Sequence, residues 1–215
     1  MQQSQESGFK FENLIKSYIF NLPEDINNTD LHDIPKEKNI FNKDENISIK
    51  STLSNTIYCG DIINFYNYNF DEKNTIILIK YYQINRKKKI EKIYEIDYNK
   101  HMFELLFGNL PKQEIQTYIE KIKNIPKNIN NEEAKKYFDY INERNILKNK
   151  YNQKIQINPK VDSKVQRRVQ CSIPNFYNLL KEFIIYESSI EKPNRIRNKE
   201  IPLYIISGKR KRNIK

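Results

Sequence analysis

Thr75–Ile84 (Thr-Ile-Ile-Leu-Ile-Lys-Tyr-Tyr-Gln-Ile) is the stretch that most narrows what this chain can become. It is dense in β-branched and aromatic side chains, which fit the pleated, half-buried surface of a sheet. Lys88–Tyr98 alternates polar and apolar residues, and Asn85-Arg86-Lys87 between the two stretches reads as a hairpin turn. The two strands would extend a mixed sheet.

Other segments supply partners for that sheet. Asn46–Ser51 alternates as a strand with one buried face, and a shorter strand near Leu31–Ile34 runs into Pro35. Apolar residues at 9, 11, 14, 15, 18 and 19 have helical spacing, and Ser7-Gly8 starts that helix. Residues 21–30 suit a loop and 36–45 a turn, whereas Thr56–Tyr66 begins as a strand and turns helical after Gly60. Further on, Lys100–Phe107 predicts a short helix ending at Gly108. Pro111–Ile125 predicts a second, with Ile115, Tyr118, Ile119 and Ile122 on one face. Asn131 to about Lys150 predicts a third, with Ala134, Tyr137, Phe138, Ile141 and Leu147 in the core. Strands return at Lys154–Ile157 and near Val165–Ile173, followed by a helix from Pro174-Asn175 through Phe183 and a last strand at Pro202–Ile206. This order predicts an α/β fold, a central mixed β-sheet flanked by helices. The 215 residues fit one domain (1–215), with a core at 8–98, a helical segment at 100–150, and a strand–helix part with a basic tail at 154–215.

The net charge of +11 favours a polyanionic partner, nucleic acid above all. Part of the lysine content follows from composition, because Asn, Ile, Lys and Tyr are the residues of AT-rich codons. Cys59 and Cys171 make neither a disulfide framework nor a zinc site, and they suggest a reducing compartment. No apolar run approaches the roughly 20 residues of a membrane helix, and the first residues lack the features of a signal peptide. A soluble, intracellular protein with no membrane partner is expected. Lys209-Arg210-Lys211-Arg212 is a nuclear localisation signal, a phosphate-binding tail or a solvated basic end.

Three positions share one chemistry. Phosphodiester hydrolysis asks for a metal ion that polarises the phosphate and lowers the pKa of a water. Mg²⁺ takes oxygen ligands and keeps several waters, so one or two carboxylates suffice. A nearby lysine can position or deprotonate the water, or neutralise charge in the transition state. Two adjacent antiparallel strands can supply these groups. One ends in an aspartate, and the next carries acid-x-lysine, whose i and i+2 side chains share a face. Asp33 and Lys50 meet this description across a turn-sized gap, and Glu12 on the first helix precedes them. Ser48 shares the face of Lys50, while Ile47 and Ile49 turn to the core.

On Gly8-x-x-Phe11-Glu12, Asp33-Ile34-Pro35 and Ile47-Ser48-Ile49-Lys50-Ser51-Thr52, the chain resembles the PD-(D/E)xK nuclease superfamily. That is the fold of many type II restriction endonucleases and Holliday-junction resolvases. Asn55–Asp61 and Pro159–Pro174 look like segments of restriction-endonuclease-like proteins encoded by giant DNA viruses. The resemblance implies a restriction-endonuclease-like fold and a Mg²⁺ cofactor. It also implies Asp33 as metal ligand, Lys50 as catalytic lysine and Glu12 as accessory metal or water ligand. Ser48 stands where the family carries an acid, and a hydroxyl brings no charge to a metal. Asp61, beside Gly60, is the first substitute ligand. Glu45 points to the other face, and Asp30 takes the place of Asp33 if the strand is shifted. Each residue also has a plainer reading: Glu12 an exposed helix residue, Asp33 a turn former, Lys50 a solvated strand lysine, Asp61 a helix cap, His32 a loop residue.

Lys160, Lys164, Arg167 and Arg168 form a basic cluster interleaved with Gln166 and Gln170. Arg and Gln can bond bidentately to guanine and adenine edges, and lysines serve phosphates. Along a strand, Gln166, Arg168 and Gln170 share one face, opposite Arg167 and Val169. That strand either reads bases or contacts phosphate alone. The first expectation is therefore a Mg²⁺-dependent endodeoxyribonuclease of restriction type that cuts double-stranded DNA as a homodimer. The second is a catalytically inactive DNA-binding member of that fold, and the third a basic structural or virion-associated protein. A viral origin would place the chain in the host cytoplasm or nucleus, or in the virion.

Overall fold

The expected hairpin forms, and it extends slightly beyond both predicted strands. Lys73–Ile84 (β3) and Lys87–Asp97 (β4) pair antiparallel, with Ile84 opposite Lys87 and Asn85 at φ +52°. Glu45–Thr52 (β1) lies parallel to β3, and Tyr204–Ile206 (β10) pairs antiparallel with one end of β4. These elements come from a computed structural model that describes residues 10–23, 31–85, 87–162 and 166–206. The fold is mixed α/β, with a mixed central sheet and flanking helices. Gly8, Asp30, Lys164 and the Lys209–Arg212 run lie outside the described residues.

The chain divides into two compact units where one domain is expected from its length. Residues 1–55, 71–98 and 180–215 form the first, and residues 56–70 and 99–179 the second. In the first unit the sheet runs β1-β3-β4-β10, and Ile184–Glu187 (β7) also pairs with β4. A helix over residues 10–19 (α1) covers one face, and its last turn, Ile15–Ile19, is π-helical. Phe11, Ile15 and Ile19 recur every fourth residue, so they fall on one side of the helix and bury against Ile47, Ile49, Ile77, Ile79 and Ile93. Phe11 meets Tyr81 with ring centroids 4.8 Å apart.

β1 departs from the expected pattern, being buried on both faces apart from Lys50 and Ser51. The polar face is closed locally. Asn46 accepts the Lys36 N–H at 2.9 Å and donates to Glu72 at 2.7 Å, which ties the turn at Lys36–Lys38 over the strand. A short hairpin of Arg195–Ile196 (β8) and Lys199–Glu200 (β9) was not foreseen, nor was β7. The hairpin turns through Arg197 and Asn198, at φ +48° and +61°. Positive φ at both central residues is what a tight two-residue hairpin turn requires.

The second unit holds a three-stranded antiparallel sheet of Ile57–Asp61 (β2), Arg167–Ile173 (β6) and Gln156–Val161 (β5), in the order β2-β6-β5. Ile62–Tyr66 (α2), Lys100–Phe107 (α3) and Lys112–Lys123 (α4) form where helices are expected. Tyr66 packs edge-on against Phe103 and Phe107, with both centroid separations 4.9 Å. Gly108 ends α3 at φ +57°, and a Cβ there would sit 2.6 Å from the Tyr151 carbonyl oxygen. The third expected helix is broken into Asn131–Tyr137 (α5) and Tyr140–Tyr151 (α6). Phe138 adopts an extended conformation, and Asp139 accepts the Asn142 N–H at 3.1 Å and caps the second helix. The break rotates the helical face: Tyr137 is 65% exposed, and Tyr140 is buried instead. Phe176–Leu180 (α7) follows Pro174-Asn175 as expected.

Candidate active site

Asp33 is placed by a single bridge. Ile34 and Ile47 exchange backbone hydrogen bonds of 3.0 and 2.8 Å, an isolated antiparallel bridge in place of the expected strand. Pro35 has no N–H to continue the ladder. The bridge lays Asp33 alongside β1, where its Oδ2 accepts the Ile49 N–H at 2.5 Å and the Lys50 Nζ at 3.4 Å. Both side chains of this ion pair are about one-fifth exposed, at 22% and 21%. Asp33 Oδ1 has no hydrogen bond among the described residues.

Glu12 joins the pair from α1. Its carboxyl is raised above the ordinary value by burial, with the Asp33 charge adding to the rise and Lys16 and Lys50 opposing it. The negative charge on Glu12 therefore lies in the field of both motif residues. Lys16, one turn on, donates to Glu12 at 2.6 Å and is itself buried. Lys16 was not singled out in the sequence, although a Glu–Lys pair at i, i+4 is a recognisable helix pairing. His32 was assigned to a loop. Burial lowers its pKa, while Asp33 and Glu72 raise it and Lys50 lowers it further, so it belongs to the same electrostatic neighbourhood.

Ser48, at 2% exposure, is buried on the strand that carries Lys50. No acid occupies that position. Asp61, the expected substitute, is the N-cap of α2 in the second unit, where its Oδ1 accepts the Ile63 and Asn64 N–H groups at 3.0 and 3.2 Å. This is its plainer reading. Glu45 is fully committed elsewhere. It accepts two hydrogen bonds from Arg197, at 2.9 and 3.0 Å, and one from Thr75 at 2.6 Å. Among the described residues, no group of three or more His, Cys, Asp or Glu side chains is placed to hold a metal. The fit to a metal therefore rests on Asp33 and Glu12 alone. Two hard carboxylates, one with a vacant oxygen, suit an ion that keeps most of its waters.

The basic strand divides between structure and surface. Arg167 does not face a ligand. It is buried, with its guanidinium donating to the carbonyls of Ile125 at 3.0 Å, Asp162 at 2.6 Å, Gln166 at 2.8 Å, and also Pro126. Its role is to hold the end of α4 against β6, so it is removed from the DNA-contacting set. Arg168 and Lys160 are exposed and pair across the sheet, and Gln170 pairs with Asn158. Gln166 is half-buried, and its N–H donates to Asp162 at 2.9 Å.

No family model matches the chain, and no curated protein or solved structure does either. Among the described residues, no helix is long and apolar enough to cross a membrane.

Proposed function

We propose that the chain is a Mg²⁺-dependent endodeoxyribonuclease of restriction type, with a restriction-endonuclease-like fold, acting on double-stranded DNA as a homodimer. The observation that carries this reading is the 3.4 Å approach of Lys50 to Asp33, with Glu12 in the field of both. These residues are far apart in sequence, and their order was the basis of the expectation. Mg²⁺ held by Asp33 and Glu12 would polarise the scissile phosphate and acidify a water. Lys50 offers an ammonium where negative charge accumulates on the phosphate oxygens. The backbone N–H of Ile49 fixes the Asp33 carboxylate so that its other oxygen stays available. Lys16 shares the charge of Glu12 and holds its rotamer. Arg168 and Lys160 supply phosphate contacts on the second unit, with Gln170 on the same face as Arg168 for a base edge.

The test is cleavage of supercoiled plasmid with Mg²⁺ by the wild type, Lys50→Ala and Asp33→Asn. Loss of an acid–base or charge-stabilising group lowers rates by about 10²–10⁴-fold, and that loss is expected of both variants. Equal cutting by wild type and Lys50→Ala would remove Lys50 from the reaction. The burial of Ser48 favours a second reading, a DNA-binding member of the fold that does not cut. Tight, salt-dependent DNA binding with no cleavage of any substrate decides for it.

A further inference from the structure

Two adjoining clefts of about 240 and 420 Å³ open in the second unit, where α6 ends and the chain enters β5. Arg144, Lys148 and Lys154 line the smaller cleft together with Gln153, and Ile155 and Pro174 give it an apolar wall. The larger cleft shares Lys148, Gln153 and Lys154 and adds Asn149 and Asn152. None of the three cations has a carboxylate partner among the described residues. The neighbouring acid, Glu143, is paired with Lys121 at 3.2 Å. Arg144 and Lys154 make only amide contacts, to Asn145 at 3.2 Å and Asn152 at 3.5 Å.

A lysine in the last turn of a helix is accounted for by the helix dipole. The same cause does not explain Gln153, which is 3% exposed and borders both clefts, with its Oε1 unpartnered by any protein group. Buried amide oxygens are normally satisfied, and one left open beside a cleft asks for a ligand N–H. A carboxamide is the side chain that pairs with the amino group and ring nitrogen of adenine. The three cations suit a phosphate, and Ile155 and Pro174 suit the face of a base.

We propose that this cleft is a nucleotide site, taking a phosphate on Arg144, Lys148 and Lys154 and an amino-bearing purine on Gln153. The site stands apart from the Asp33–Lys50 cluster, and neither reading depends on the other.

The experiment is calorimetric titration of the full chain at low salt with AMP, IMP, adenosine and inorganic phosphate. IMP replaces the amino donor by a carbonyl, so AMP is expected to bind about tenfold more tightly than IMP, the equivalent of one hydrogen bond. Adenosine and phosphate are each expected to bind at least about tenfold more weakly than AMP. Lys148→Gln with Lys154→Gln, both exposed positions, is expected to weaken AMP about tenfold or more with an unchanged circular dichroism spectrum. Gln153→Met is expected to bring AMP down to the IMP level. Equal binding of AMP and IMP by the wild type overturns the base assignment, as does phosphate binding as tightly as AMP. Absence of saturable AMP binding below about 10 mM overturns the site itself.

Discussion

The first unit carries two clusters of opposite charges on one sheet, and they are completed differently. At the start of β1, Glu45 is enclosed. Arg197 donates to both of its oxygens and to both oxygens of Glu95, with the shortest contact to Glu95 at 2.8 Å. Thr75 and Asn39 add hydrogen bonds to Glu45 at 2.6 and 3.1 Å. Towards the other end of β1, Asp33 and Lys50 touch at 3.4 Å, partly in solvent, and Asp33 keeps an oxygen without a hydrogen bond. A carboxylate whose lone pairs are all satisfied by the protein fastens the fold. One with capacity left over can accept something from outside. Burial alone does not separate a structural charge from a working one; the number of unused contacts does.

That contrast predicts its largest difference in stability. Arg197→Ala leaves Glu45 and Glu95 buried and uncompensated, and a loss of about 3–5 kcal/mol is expected in urea unfolding. Lys50→Ala removes a partly exposed pair, and its cost should stay below about 1 kcal/mol. Similar losses from the two variants would erase the distinction. Acid should act next. Burial by itself would raise the Glu45 carboxyl, but hydrogen bonds from Arg197 and Thr75 outweigh it and bring it from 4.5 down to about 2. A lowered carboxyl stabilises the fold above its unfolded value, so this contribution is complete above pH 4.5 and fades as pH falls towards 2. It amounts to about 3 kcal/mol, and Glu45→Gln should flatten that part of the stability profile. An unchanged acid slope in Glu45→Gln would assign the loss to other groups. The smallest effect sharpens the candidate site. Ser48→Asp places a charge in a buried position, and the melting temperature without Mg²⁺ should fall by roughly 2–4 °C for each kcal/mol lost. Millimolar Mg²⁺ should restore it, because a ligand that binds only the folded form stabilises that form. A melting temperature indifferent to Mg²⁺ would place position 48 away from the metal.

Local signals in the sequence were read well where they determine structure locally. The β3–β4 hairpin, the helix ending at Gly108 and the switch from strand to helix after Gly60 all follow from residue type and spacing. The continuous helix expected through Asn131–Lys150 missed its break because Tyr137, Phe138 and Ile141 keep an apolar rhythm across it. The cap that starts the second helix is a lone aspartate, Asp139, inside that rhythm. β8 and β9 are two residues each and mostly polar, too short to show a period. The site was legible through residue order, which gave Glu12, Asp33 and Lys50. Long-range pairing was not. Arg197 is 152 positions from Glu45, and Arg167 is 42 from the carbonyl it holds at Ile125. A basic residue that closes a buried network and one that faces solvent look alike in a string of letters, and so Arg167 was taken for a DNA contact.

β1 and β3 are parallel neighbours, so a crossover must join them, and here the crossover carries residues 56–70 into the second unit. The chain passes between the units four times, after residues 55, 70, 98 and 179. Neither unit is a continuous stretch of polypeptide, and no single cut releases one of them whole. During synthesis, which runs from the N-terminus, Glu45 and Glu95 emerge long before Arg197, and β4 before β10. The first unit to begin is therefore the last to close, and a ribosome stalled before residue 197 holds a sheet with its acids uncountered.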